Sequence, residues 1–207
     1  MSRPHPGKIV IISSPSGGGK TSICRKLLSR ARRRKGWTFS VSYTTRKKRV
    51  GERNGREYSF VSDAEFERLI AKDFFAEHFK VHLYRYGTPR KPMERVLKNG
   101  GVMLLDVDVQ GAAKLHKEYP EAITIFIRPP SLQALKERLR LRGTETPEQF
   151  KVRFENAARE MQYYRKFDYV VVNDDLMVAV SKVLAIITAH NCRTDRPNLE
   201  QKSRLNS

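Results

Sequence analysis

Two cysteines in 207 residues, Cys24 and Cys192, are too few for a disulfide framework, which excludes the stapled secreted scaffolds. Cys24 falls on an expected helix, where a small buried apolar side chain is its simplest role. No cluster of His and Cys has metal-ligand spacing, and no internal repeat is found. No apolar run approaches the roughly 20 residues that a spanning helix needs. Residues 1–8 show no apolar signal core, so the expectation is a cytoplasmic protein without a membrane partner. Acidic residues are scarce as well: 22 Asp and Glu stand against 41 Lys and Arg, a net charge of +19 that favours anionic partners. At 39% hydrophobic residues the chain can still build one large core, with smaller lobes inserted into it.

What is present is most informative over residues 9–22, I-V-I-I-S-S-P-S-G-G-G-K-T-S. An apolar, β-branched run there feeds a glycine-rich turn that ends in Lys20 and Thr21, which reads as a strand entering a phosphate-binding loop. Gly17, Gly18 and Gly19 let the backbone aim N–H groups at an anion, and a helix starting near Lys20 adds the positive end of its dipole. Lys20 would reach the β- and γ-phosphates of a nucleotide, and the Thr21 hydroxyl would take one Mg²⁺ position. The pattern G-x-x-x-x-G-K-[ST] is missed only at its first place, where Ser14 stands. A plain flexible Gly/Ser turn is the bland alternative.

Further along, apolar runs alternate with helical patterns. Ile23, Leu27, Leu28 and Ala31 recur at helical spacing before a basic cluster at residues 30–35. Residues 37–43 alternate with period two as one strand, and residues 102–106, 123–127 and 169–172 read as buried strands. Strands alternating with helices imply an α/β fold, a parallel sheet covered by helices on both faces. Residues 44–87 break that rhythm: polar, rich in Gly, Arg and Tyr, with an Asn54-Gly55 turn signal, they read as an inserted antiparallel lobe. Residues 131–142 carry a stripe of Leu132, Leu135 and Leu139 expected to pack inward, with Arg138 and Arg142 four apart on one face. Thr146-Pro147-Glu148-Gln149 then opens a second helix with a capping box, so a helical pair joined at Gly143 is expected. The tail after Arg193 is polar and expected to fray.

A second signature is S-Y-T-T-R-K-K-R-V-G-E-R-N-G-R-E-Y at residues 42–58. Ser42 lies on the same strand face as Ser40, opposite Phe39 and Val41, and Arg46 and Arg49 follow within reach. A guanidinium fork matches paired phosphate oxygens, and the hydroxyls of Ser42 and Tyr58 can complete the cage. A basic run such as residues 46–49 is otherwise a solvated face.

With Y-G-T at 86–88, D-V-D-V-Q-G at 106–111, R-G-T-E-T at 142–146 and V-N-D-D at 172–175, the chain resembles the guanylate kinase family from residue 8 to near residue 190. The resemblance implies a three-layer phosphate-loop kinase with a five-stranded parallel core sheet. Its core would comprise residues 8–41, 88–130 and 162–190, its inserted mixed or antiparallel GMP-binding lobe 42–87, its helical lid 131–161 and its tail 193–207. It implies transfer of the γ-phosphate of ATP to GMP, giving ADP and GDP, for purine nucleotide metabolism and GMP recycling. Mg²⁺ would be the cofactor and dGMP a further acceptor, and no nucleic acid would be required.

Carried over by motif, ATP would lie on Ser14, Pro15, Ser16, Gly17, Gly18, Gly19, Lys20, Thr21 and Ser22, with Asn173 at the adenine. An asparagine capping the helix that starts near Asp174 explains Asn173 equally well. The GMP phosphate would sit among Ser42, Arg46, Arg49, Tyr58 and Tyr86, and the base would meet Glu77, Thr88 and Asp108. Guanine presents N1–H and an amine as two donors on one edge, which a carboxylate accepts as a pair. Without the resemblance, Glu77 would read as a surface carboxylate beside buried phenylalanines. Asp106, ending an apolar strand, would hold Mg²⁺ through water, with Thr21 as a direct ligand; a turn aspartate is the alternative. Lys20, Arg49, Arg138, Arg142 and Arg153 would neutralise the transferring phosphates, the last three from the lid.

Three other readings remain. A non-catalytic guanylate-kinase-like interaction module should have lost Lys20, Arg49 or the lid arginines, and all are intact. A nucleic-acid binder would suit the charge, but no aromatic-interleaved basic pattern is evident. A kinase for a phosphorylated sugar fits Glu77 and Thr88 poorly.

Overall fold

The computed structural model describes residues 7–31, 36–49, 51–81, 83–141 and 146–192. In chain order the elements are β1 (Lys8–Ser13), α1 (Lys20–Ala31), β2 (Trp37–Phe39), β3 (Tyr43–Thr44), β4 (Ser59–Phe60), α2 (Asp63–Ala71), β5 (Phe75–Val81) and β6 (Tyr84–Pro89). Then come α3 (Arg90–Lys98), β7 (Val102–Asp106), α4 (Val109–Glu118), β8 (Ile123–Arg128), α5 (Leu132–Arg140), α6 (Pro147–Glu160), a 3₁₀ helix (Met161–Lys166), β9 (Tyr169–Val172) and α7 (Leu176–Asn191).

Five strands form an all-parallel sheet in the order β2-β7-β1-β8-β9. β1 is central, and its run Ile9-Val10-Ile11-Ile12 is buried throughout because helices cover both faces of the sheet. Alternation sorts the run: Val10 and Ile12 pack with Ile23 and Leu27 of α1 and Val183 and Ile187 of α7. Ile9 and Ile11 pack with Met93 of α3 and Leu115 of α4. The result is a three-layer α/β/α fold whose strands all end toward one rim. Cys24 is buried in the α1 layer, in its apolar role.

Residues 37–43 divide between two sheets, a correction to the single strand expected. β2 ends at Phe39, Ser40 N–H still donates to Leu104 O (2.9 Å), and the chain then enters a four-stranded sheet ordered β4-β3-β6-β5. Period-two alternation continues across the break because Ser40 and Ser42 are both buried. This second sheet is mixed, not purely antiparallel, since β3 pairs β4 in parallel and β6 antiparallel. It also carries α2, which the sequence reading left undrawn; Ser62 caps it by accepting from Glu65 N–H.

In the α5–α6 pair Leu135 and Leu139 are buried with Ala157 and Met161. Leu132 departs from the expected stripe. It follows the N-cap Ser131 in the first turn, takes no part in that buried cluster, and is 51% exposed. Thr146 and Gln149 do form the capping box, with Pro147 in the first turn. Arg142, Gly143 and the rest of the joint, residues 142–145, lie outside the described residues, as do 32–35 of the basic cluster and the tail 193–207.

Candidate active site

The loop of residues 14–19 leaves β1 and enters α1 at Lys20, whose first turn carries no acidic residue to compete for its N–H groups. Gly19 has φ +91°, and a Cβ there would come within 2.1 Å of the Asn173 amide nitrogen, so only glycine fits. Asn173 is buried and donates to Gly18 O (3.0 Å). It does not cap α7: that place belongs to Asp175, which accepts from Val178 N–H (2.8 Å).

Parallel pairing of β1 with β7 sets Asp106 beside the loop, at the strand ends where α/β sheets bind ligands. Lys20 Nζ lies 2.8 Å from Asp106 Oδ1 and donates to Val107 O (2.6 Å). Burial is the largest single influence and disfavours the ammonium charge, but the charge and hydrogen bond of Asp106, with Tyr58 and Asp108, together outweigh it and the net shift is upward, so Lys20 stays charged.

A cavity of about 540 Å³ opens between α1 and the second sheet, lined by Thr21, Ser40, Ser42, Arg46, Arg49, Glu52, Tyr58, Tyr86 and Asp106 among others. A smaller one of about 170 Å³ adjoins it and is lined by Lys20, Ser42, Tyr58, Glu77, Phe79, Tyr86, Asp106, Val107 and Asp108. The two share Ser42, Tyr58, Tyr86 and Asp106, so one cleft runs from the phosphate loop to Glu77. Tyr58 and Tyr86 meet edge to face at 6.0 Å. Burial, seconded by Asp106, pushes the Tyr58 hydroxyl up to about 12, so it remains a neutral donor.

Glu77 is 6% exposed, unlike the surface carboxylate its composition alone suggests. β5 pairs it directly with Thr88 of β6, and Thr88 Oγ1 donates to Glu77 Oε1 at 2.6 Å. Oε2 is buried without a hydrogen-bond partner. Burial, reinforced by Asp108, lifts the Glu77 carboxyl to about 8 against the Thr88 hydrogen bond, which pulls the other way. Asp108 caps α4 by accepting from Gly111 N–H (2.7 Å).

The sign of the Glu77 shift sets a pH dependence. Stability from the buried neutral acid is full below the unfolded value of about 4.5 and is lost as pH rises toward 8. A ligand whose two donors need the carboxylate must expel that proton. Guanosine, which carries no titrating phosphate, is therefore expected to bind about tenfold more weakly at pH 6 than at pH 7 and to release close to one proton at pH 7. Calorimetry in two buffers of different ionisation enthalpy measures this, and binding without proton release would contradict it.

Arg138 and Arg153 line neither cavity and instead reach the loop and its neighbour Asn173. Arg138 Nη2 donates to Asn173 O (2.8 Å), and Arg153 Nε donates to Ser16 Oγ (3.3 Å). Two carboxylates escaped the sequence reading. Glu160, two turns after Arg153 on α6, accepts from Ser16 N–H (3.0 Å), a contact across 144 residues with no local signal. Glu52 binds Arg46 with both oxygens and was visible only as an unassigned member of R-x-G-E.

A parallel sheet whose central strand feeds a glycine loop and lysine, beside a strand ending on that lysine's carboxylate partner, defines a phosphate-loop α/β kinase. The guanylate kinase family profile matches residues 6–190. The chain is 43% identical over 196 residues to the guanylate kinase of Caldanaerobacter subterraneus subsp. tengcongensis, covering 95% of this chain and 94% of that one. It is 44% identical over 190 residues to that of Clostridium perfringens strain SM101, covering 92% and 87%. The crystal structure of guanylate kinase from Anaplasma phagocytophilum superposes with a TM-score of 0.78 at 33% identity, over 95% of this chain and 93% of that one. This chain belongs to the guanylate kinase family.

Proposed function

We propose that the cleft carries out ATP:GMP phosphotransfer, yielding ADP and GDP in purine nucleotide metabolism and GMP recycling. The observation that carries the acceptor is Glu77: a buried carboxylate, one oxygen held by Thr88, the other without a partner, at the end of a cleft that leads back to Lys20. Guanine would complete it with N1–H and its amine, Asp108 standing alongside. The GMP phosphate would then lie among Ser42, Arg46, Arg49, Tyr58 and Tyr86, in line with an ATP held on residues 14–22.

Thr21 and Asp106 offer a hydroxyl and a carboxylate to the same cavity, the hard oxygen donors that suit Mg²⁺ bound chiefly through phosphates and water. Bound there, Mg²⁺ would neutralise charge on the ATP phosphates. Lys20 would leave Asp106 for the β- and γ-phosphates, and Arg49, Arg138, Arg142 and Arg153 would share the charge of the group in transit. A GMP phosphate oxygen forms the new bond to the γ-phosphorus as the bond to the ADP oxygen breaks, so no general base is needed. Residues 131–161 are assigned as the lid and 42–87 as the GMP lobe, whose closure would exclude water. Asn173 supports the phosphate loop through the amide it donates to Gly18 O, and it remains the residue assigned to adenine.

Loss of Lys20, Arg49 or the arginines at 138, 142 and 153 would mark a non-catalytic interaction module; all five are retained, which disfavours that alternative. No helix among the described residues is long and apolar enough to cross a membrane. The enzyme is proposed to work in the cytoplasm, where its substrates ATP and GMP are found. ADP release measured with GMP, dGMP, AMP and UMP as acceptors is expected to be fast with GMP, detectable with dGMP and negligible with the other two. Equal rates with AMP would end the guanine assignment.

A further inference from the structure

The turn between Arg46 and Glu52 is built around a contact that no step of the phosphotransfer above uses. Gly51 has φ +82°, with open space where a Cβ would stand, and this left-handed residue folds the chain back so that Glu52 N–H donates to Arg49 O (3.2 Å). The return brings the Glu52 carboxylate onto two targets. Its Oε1 and Oε2 accept from Arg46 Nη2 (2.9 Å) and Nη1 (3.1 Å), and Oε2 also accepts from the Arg49 backbone N–H (2.8 Å). Arg46 is 7% exposed and lies against the Tyr58 and Phe60 rings at 5.5 and 5.6 Å, so its guanidinium is largely shielded from water.

A guanidinium has five N–H donors, four of them paired into two bidentate edges. Nη1 spends one on Glu52 and one on Lys47 O (2.8 Å), and Nη2 spends one on Glu52. The terminal edge is therefore consumed. What remains is the side edge, Nε–H with the second Nη2–H, and the Tyr86 hydroxyl is the further group that interacts with this guanidinium. Tyr86 lines both cavities of the cleft.

We infer that Glu52 is a positioning residue for the acceptor phosphate: it holds Arg46 by the terminal edge and Arg49 by its backbone, so that Arg46 presents its side edge to a phosphomonoester dianion. The inference rests on the phosphate site proposed above. Glu52 touches no substrate. Its negative charge repels the incoming phosphate, yet it removes the entropy of a freely rotating arginine, and in an enclosed, ring-walled site the ordering dominates.

The test is steady-state kinetics of Glu52→Ala, with guanosine as a competitor that carries the base and no phosphate. KM for GMP is expected to rise about 10- to 100-fold, while KM for ATP and the inhibition constant of guanosine stay within about twofold. Glu52→Gln keeps one acceptor oxygen and should fall between the two. Gly51→Ala strains the turn without touching the carboxylate and should raise KM for GMP in the same direction. These two variants carry the test if the alanine variant does not fold. Arg46→Ala is measured in parallel. If Arg46→Ala raises KM for GMP and Glu52→Ala leaves it unchanged or lowers it, this inference falls and the phosphate site stands. If guanosine weakens as much as GMP, Glu52 is only structural and the inference is overturned. If Arg46→Ala itself has no effect, the phosphate site is wrong and the inference goes with it.

Discussion

Lys20→Ala is expected to lower turnover by about two orders of magnitude or more at saturating ATP and GMP, because the ammonium acts mainly on charge that moves in the transition state. GMP affinity should change little, since the base and phosphate of GMP are assigned to other side chains. In the structure the lysine also neutralises Asp106 at 2.8 Å. The variant leaves that carboxylate, whose side chain is 11% exposed, without its cation, so a lower melting temperature should accompany the loss of rate. Single-turnover measurements well below the transition, with circular dichroism to verify the fold, separate the two effects. A folded variant that keeps near wild-type turnover would sink the phosphate-loop assignment.

Glu77→Gln should lower kcat/KM for GMP by about 30- to 1,000-fold, equivalent to roughly 2–4 kcal/mol for a charge-assisted pair. Geometry decides which acceptor is lost. The glutamine oxygen can keep the Thr88 hydroxyl bond at the place of Oε1, and the new NH₂ then stands at the place of Oε2, a donor facing the guanine N1–H. Adenine has an acceptor at that position, so activity with AMP should rise relative to GMP. The variant also removes the titrating carboxyl, so proton release on guanosine binding should vanish with it. Retention of both the GMP kcat/KM and the GMP-to-AMP preference within about threefold would mean that guanine is read elsewhere.

The central layers were legible because burial on both faces turns β1 and β7 into unbroken apolar runs and β8 into one interrupted only by Thr124, and the phosphate loop because Lys20 and Thr21 follow glycines directly after one of them. The capping box at Thr146 was equally local. The break after Phe39 was hidden, since a change of sheet that preserves the alternation of Ser40 and Ser42 leaves no trace in period. Leu132 misled because helical spacing names a face without saying which of its members the partner helix covers. Asn173 shares a cap-forming stretch with Asp175, and only the close approach of the loop at Gly18 and Gly19 distinguishes their tasks. Glu77 became a site residue on resemblance; its burial and its partner Thr88 follow from a strand pairing that no spacing reveals. Glu52 and Glu160 needed coordinates for a different reason: a carboxylate's partner, whether 6 or 144 residues away, is unmarked in the chain.

The bond from Ser16 N–H to Glu160 has a consequence for local opening. Ser16 lies in the phosphate loop and Glu160 closes α6, with Arg153 of the same helix on the Ser16 hydroxyl. Solvent deuterium can replace the Ser16 amide hydrogen only when that junction parts, so its exchange rate follows the detachment of α6 from the loop and not the unfolding of the sheet beneath. One backbone amide thus serves as a native clock for how often α6 lets go of the glycine loop.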